Sequence, residues 1–358
     1  MPEAGGLTGV LKMTETIEKS DPGRTKTMRR ERSDPSRGKA IRRRRAVTAV
    51  ITTHNRQTDM VRRALLSVLA QTYLLEQIII VDDSDAGFPG SIEIRDMAAA
   101  VSGGRVEYIR HPVCKGLAAA RNTGLAHASG EFIAYLDDDD EWLPEKTRYQ
   151  IRIFEKEERE HRPAPCLVYG GGLIRNDQRG TESGMRCRFE RGNVYQKLLW
   201  GNWIGYPSFV MFRKQCLQEI GGFNEKISFM EDHDLYLRLA RNYPVTYVKR
   251  PLAIYHEHDN GQMTDDLFKY IKGMNAFLAG FDKDLAADQN LYQKQWMKLA
   301  YAYAEVPDRV NARQAWRTSF AGSGSRSMTR LLKKICLEKQ LLAGSICQKW
   351  RRGSKENK

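Results

Sequence analysis

Five consecutive acids, Asp137-Asp138-Asp139-Asp140-Glu141, close the short apolar run Phe132-Ile-Ala-Tyr-Leu136. Carboxylates at the end of a buried strand repel one another and resist desolvation, so they ask for a compensating cation, either a metal or a cluster of Arg and Lys. An oxygen-only donor set suits a hard divalent ion, Mg2+ or Mn2+, held by one or two carboxylates with water and phosphate completing its shell. The competing reading is an acidic, solvated loop ahead of the helix that begins near Pro144. Further along, Glu231-Asp232-His-Asp234 opens a helical stretch. Asp232 there is either a helix cap or a carboxylate that the helix dipole keeps ionised, as a general base requires; Asp234 has Arg238 at i+4 and reads as half of an ion pair. His258, in Tyr255-His-Glu-His258, is a candidate metal ligand or diphosphate contact, with a plain surface histidine as the alternative.

These residues need a scaffold, and the chain from Val47 supplies an alternating one. Val47–Thr52, Gln77–Val81, Val106–Arg110 and Glu131–Leu136 read as strands, with helices at about Thr58–Gln71, Ile92–Val101 and Leu117–Ala128 between them. That alternation predicts an α/β fold with a mostly parallel central sheet, whose ligands gather outside the carboxyl ends of the strands. Polar residues collect at three such ends: Thr52-Thr-His54-Asn55, Asp82-Asp83-Ser-Asp85 and the acid cluster. Asp82 and Asp83 have a rival role as turn caps. A strand over Cys166–Ile174, a Gly-rich loop over Asp177–Asn193 of the kind that covers an acceptor, and a strand over Val245–Val248 with a break at Pro251 are also expected. Trp203 and Tyr206 suit either a sugar face or the core, and Phe223 suits packing.

The chain has 358 residues, 41% hydrophobic, enough for a sizeable core, and a net charge of +14. Residues 1–45 carry 13 Lys/Arg against 6 Asp/Glu and residues 326–358 carry 10 against 2, so the middle is near neutral. Basicity therefore belongs to the ends; it argues for a solvated tail or an anionic membrane surface, with nucleic acid ranked behind. Residues 1–45 are too polar to fold alone and read as a disordered arm. No apolar window has the length of a membrane span or the make-up of a signal peptide, which points to the cytoplasm, with peripheral membrane association through the ends. Six scattered cysteines without a C-x-x-C pair read as reduced thiols.

Ala49-Val-Ile-Thr-Thr-His-Asn-Arg56, Ile80-Val-Asp-Asp-Ser84, Gly116-x3-Ala-Arg121-Asn-x-Gly124, Gly130-Glu-x-Ile-x-Tyr-Leu-Asp-Asp-Asp-Asp-Glu-Trp142, Gly221-Gly-Phe-Asn-Glu225 and Glu231-Asp-x-Asp-Leu-x-Leu-x-Leu239 together resemble the family 2 glycosyltransferases. The resemblance runs from about Val47 to Thr264. It implies a GT-A fold and an inverting, nucleotide-sugar-dependent enzyme. It implies nucleotide contacts from Thr52, His54 and Asp83, with Asp83 on the base, and a basic residue near the nucleotide in Arg121, whose alternative is a partner for a nearby acid. Asp137, Asp138 and Asp139 fall on the DxD region, with Asp138 toward the ribose and Asp139 on the metal; Asp232 falls on the catalytic base and His258 on a histidine common in the family.

The sequence thus divides into a basic arm (1–45), a catalytic domain (46–265) and a helical C-terminal extension (266–358) whose last helix, Met328–Trp350, is basic and amphipathic. The expected activity is transfer of a sugar from a nucleotide-diphospho-sugar donor to a glycan or lipid-linked acceptor with Mn2+ or Mg2+. It is expected to be non-processive, since the Gln-x-x-Arg-Trp signature is absent. A nucleotidyltransferase and a non-catalytic nucleotide-sugar-binding protein are the alternatives.

Overall fold

The computed structural model describes residues 44–160, 163–185, 187–257, 266–306 and 308–320. Its first half alternates as the periodicity predicts: β1 (Val47–Thr53), α1 (Thr58–Leu69), β2 (Gln77–Asp82), α2 (Gly90–Ser102), β3 (Val106–Arg110), α3 (Leu117–His127) and β4 (Phe132–Asp137). There follow β5 (Glu141–Trp142), α4 (Lys146–Glu160), β6 (Leu167–Asn176), β7 (Thr181–Gly184), α5 (Tyr195–Leu198), β8 (Met211–Arg213), α6 (Lys214–Glu219), α7 (Glu231–Asn242) and β9 (Val245–His256). Three helices complete the described chain, α8 (Leu267–Ala286), α9 (Gln289–Glu305) and α10 (Arg309–Ser319).

The sheet runs β3-β2-β1-β4-β8-β6-β9-β5, with β7 hung on β6. β3, β2, β1 and β4 are mutually parallel, as are β6 and β9, while β8 and β5 are antiparallel to their neighbours. Strand alternation sends side chains to two cores. Val50, Ile133 and Tyr135 meet α3, α7 and the C-terminal helices; Val47, Ala49, Ile51, Phe132, Ala134 and Leu136 meet α1, α2 and α4. The sheet must curl. β4 and β5 stand four strand spacings apart along the sheet, roughly 19 Å if it were flat, yet only Asp138–Asp140 separate them in sequence. Four extended steps span at most about 14 Å, so the β9–β5 end bends back toward β4, and the acid cluster lies across that fold.

Three expectations change. Asp177–Asn193 is not one open loop: β6 extends to Asn176 and pairs with β7 from Thr181 to Gly184. Pro251 does not break β9, because register shifts at Gly170/Gly171 and Gly171/Gly172 of β6 absorb a residue that cannot donate to the ladder. Arg45, placed in the arm by charge, is anchored in the domain by Glu131 and Glu158 and lies over the Phe132 ring. The described residues from Arg45 on belong to one compact unit, and α8–α10 share the α3/α7 core, with Phe277 stacked on His233 at 5.3 Å. The four described cysteines are free. Among the described residues no helix is long and apolar enough to cross a membrane. The rest of the arm, His258 and the amphipathic stretch Met328–Trp350 lie outside the described residues.

α3 approaches β1 closely because Gly124 has no side chain: a Cβ there would lie 2.4 Å from Val50 Cγ1. Gly124→Val should therefore lower stability by roughly 1–3 kcal/mol, seen as a lower urea midpoint with an unchanged m-value.

Candidate active site

The parallel register levels the carboxyl ends of β2, β1 and β4. Thr52 is paired with Val81 on one side and Asp137 on the other, and Thr53 with Asp82. The three polar strand ends therefore form one rim, with Thr52 at its centre.

On the β2 side, Asp83 is buried and fully engaged. Its Oδ1 accepts from Lys115 N at 2.7 Å and lies 2.7 Å from His111 Nδ1; its Oδ2 accepts from Gly116 N at 2.7 Å and from Cys114 Sγ at 3.4 Å. Burial alone would raise this carboxyl, but those donors, led by Lys115 N–H, bring it below its ordinary value. Asp83 thus holds the 111–116 loop against the rim. Asp82 is equally occupied, by Ser84, Tyr108 and Arg110, which suits its turn-cap reading. His54 is exposed, with Nδ1 2.8 Å from the Asp83 carbonyl oxygen and Nε2 3.3 Å from Asn55 Nδ2.

On the β4 side each acid meets a different environment. Arg121, expected beside the nucleotide, is 1% exposed and spends its guanidinium on two carboxylates: Nη2 donates to Asp137 Oδ1 at 2.6 Å and Nη1 to Glu231 Oε1 at 2.7 Å. Its face covers the Phe223 ring, and Tyr135 meets that ring edge-on, so Phe223 packs as expected. Arg121 accordingly ties the end of β4 to the start of α7. Arg56 donates from Nε to Asp138 Oδ1 at 2.8 Å and from Nη2 to Asp139 Oδ2 at 3.1 Å. Burial still pushes the Asp138 carboxyl up to about 6. Asp140 is buried, has one carboxyl oxygen without a hydrogen-bond partner, and is raised by burial and then by Asp137 and Asp139. Glu141 is held by His256, whose other ring nitrogen faces Asp177; both contacts are 2.8 Å.

α7 begins abruptly. Met230 adopts φ 66°, and with Asn55 (φ 49°) it makes the two positive-φ non-glycine positions among the described residues, one on each side of the site. The turn delivers Glu231 to Arg121 and leaves Asp232 half-buried, its Oδ2 accepting from Asn202 Nδ2 at 2.8 Å and its Oδ1 from His233 N at 2.7 Å. The helix dipole does not win at Asp232: burial, and next the Glu231 charge, push it up to about 7. Asp234 pairs with Arg238 at 2.7 Å, as its i, i+4 spacing predicts. Trp203 lies edge-on to Tyr169 and Tyr206 stacks on Tyr255 at 4.6 Å, so both rings have protein partners.

The β4 acids fit a hard divalent ion. They offer oxygen donors alone, and Asp140 keeps an unpartnered oxygen among them. Among the described residues, the three donors that come within 4.8 Å of one another belong to exposed His54, Asp85 and Cys114 on the β2 side, a mixed N, O and S set that suits a softer ion. Arg56, Asn202, Glu231 and His256 are the site residues that sequence reasoning passed over for these roles. Arg56 and Glu231 stood inside the quoted motifs and His256 two residues before His258; nothing local marked Asn202.

The model of the glycosyl transferase family 2 matches residues 48–221. Over that stretch the chain is similar to the family 2 glycosyltransferases. A glycosyl transferase of Escherichia coli K12 named for colanic acid biosynthesis, WcaA, is 25% identical over 81% of this chain and 97% of its own. The E. coli enzyme WfaP, named a UDP-Glc:alpha-D-GlcNAc-diphosphoundecaprenol beta-1,3-glucosyltransferase, is 36% identical over 31% of this chain and 42% of its own. The fold is GT-A: the crystal structure of S. aureus TarS 1-349 in complex with UDP-GlcNAc superposes with a TM-score of 0.54 at 14% identity, covering 77% of this chain and 79% of that TarS 1-349 chain.

Within this glycosyltransferase Arg121 is a strut whose loss is costly. Arg121→Met should strand the Asp137 and Glu231 carboxylates without their cation and destabilise the fold by roughly 3–5 kcal/mol. Chemical denaturation checks this, and Arg121→Lys should recover part of the loss.

Proposed function

We propose that this enzyme transfers a sugar, with inversion and one residue per encounter, from a nucleotide-diphospho-sugar to a hydroxyl of a glycan or lipid-linked acceptor. The observation that carries the reading is the Arg121 bridge: one buried guanidinium holds both the acid end of β4 and the start of α7, so two carboxylate groups of different role flank one space. An inverting displacement needs this arrangement, because the acceptor hydroxyl attacks from the face opposite the leaving diphosphate. Its proton goes to Asp232, the new bond forms at the anomeric carbon, and the electron pair of the broken bond leaves on the diphosphate. Asn202 orients Asp232 for that transfer, and a carboxyl titrating near 7 is matched to abstracting a proton at neutral pH.

Thr52, His54 and the loop held by Asp83 form the nucleotide side, with Asp137 and Asp138 toward the ribose and donor. A divalent ion, Mn2+ or Mg2+, held through Asp139 would neutralise diphosphate charge; His258 remains a candidate second ligand. The UDP-GlcNAc of the TarS structure and the UDP-glucose and diphosphoundecaprenol in the name of WfaP support a UDP-sugar donor and a lipid-linked acceptor. A charge-driven membrane contact of the basic ends would bring such an acceptor within reach.

Asp232→Asn should leave donor affinity nearly unchanged by calorimetry and lower kcat by roughly 10²–10⁴, measured as nucleoside diphosphate release; near-wild-type turnover would move the base to Glu231. In the wild type the active form is the ionised one, so kcat/KM should climb as pH rises through about 7 and level off above it. In paired titrations UDP and Mn2+ should each strengthen the other's binding to the wild type, and Asp139→Ala should abolish that coupling.

A further inference from the structure

Arg56 and Arg121 both serve the β4 carboxylates, but they are built differently. Arg121 is sealed in the core at 1% exposure, whereas Arg56 is 36% exposed and approaches from the loop after β1, next to Asn55 in its left-handed conformation. Its fork lies across Asp138 Oδ1 and Asp139 Oδ2, oxygens of the two residues assigned above to the ribose side and the divalent ion. A guanidinium stays charged at every accessible pH, so it cannot leave the way by losing a proton; it and a divalent ion on the same pair of carboxylates repel one another. Asp138 also depends on it: burial and the charges of Asp139 and Asp137 raise that carboxyl, and the Arg56 charge is the largest effect that opposes them.

We propose that Arg56 is the site's own counter-cation, exchanged for the divalent ion when a nucleotide diphosphate binds: the guanidinium leaves Asp138 and Asp139, which frees Asp139 for the ion and Asp138 for the ribose, and turns its charge onto the diphosphate. The inference rests on the metal reading given above. Its consequence is order. The ion alone is excluded by Arg56, and the diphosphate brings the negative charge that draws Arg56 away, so ion and nucleotide enter together. Arg56 acts here as a positioning residue with a measurable signature, since removing it should improve one affinity while weakening another.

The test uses the full chain, with free Mn2+ followed by electron paramagnetic resonance in the absence and presence of UDP. Wild type should bind Mn2+ weakly alone and tightly with UDP. Arg56→Gln should bind Mn2+ alone at least about tenfold more tightly than wild type, while its affinity for UDP at saturating Mn2+ falls about tenfold. A damaged fold cannot tighten metal binding, so the gain separates exchange from mere loss of structure. Arg56→Lys, which keeps the charge, should stay within about threefold of wild type for Mn2+ alone. Arg56→Gln binding Mn2+ no more tightly than wild type, or Arg56→Lys tightening as much as Arg56→Gln, overturns the exchange and leaves the metal reading standing. Failure of wild type to bind Mn2+ even with UDP removes both.

Discussion

Too many carboxylates at the end of one buried strand is the constraint around which this molecule is arranged. Asp137 to Glu141 cannot share a desolvated rim without cations and hydrogen-bonding partners, and the fold brings such groups from four separate elements. Arg121 arrives from α3, Arg56 from the loop after β1, Arg63 from α1 onto the Asp139 carbonyl oxygen, and His256 from the end of β9 onto Glu141. The same contacts that neutralise the acids also dock α1, α3 and β9 against the end of β4.

Backbone geometry makes that convergence possible. Only a curled sheet lets β4 pass directly into β5, and only then can His256 on β9 reach an acid that follows β4. Asn55 and Met230, both at positive φ, turn the chain sharply at either side of the rim. Strain of this kind persists where surrounding contacts over-determine it, and here the contacts are Asn55 with Ser84 and Asp85 on one side and Glu231 with Arg121 on the other.

Electrostatics at Asp232 shows which of two familiar effects prevails. A helix N-terminus is worth at most about 2 kcal/mol to a carboxylate. Partial burial beside a second acid outweighs it, so Asp232 is driven toward neutrality and not away from it. Arg121 limits that drift but divides its charge between Asp137 and Glu231, which leaves Asp232 the less compensated neighbour of a paired acid. The same division distinguishes Asp234, whose partner Arg238 lies one helical turn away.

Much of the architecture was legible because it is local. The alternation of apolar runs from Val47 to Asp137 encodes strands and helices through side-chain periodicity, and parallel pairing then forces the polar ends of β1, β2 and β4 onto one rim. The Asp234–Arg238 pair and the packing role of Phe223 followed in the same way. Which charge meets which did not, because it depends on residues distant in the chain: Arg121 and Glu231 are 110 positions apart, Arg56 and Asp138 are 82, and His256 and Glu141 are 115. Basicity near a nucleotide could be assigned to Arg121 from its motif, but burial converted it to a strut and left the half-exposed Arg56 beside the acids. The raised Asp232 and the engaged Asp83 have the same origin. Residue type sets what a group can do, whereas desolvation and hydrogen-bond saturation, which exist only once the chain has closed on itself, decide which of those things it does.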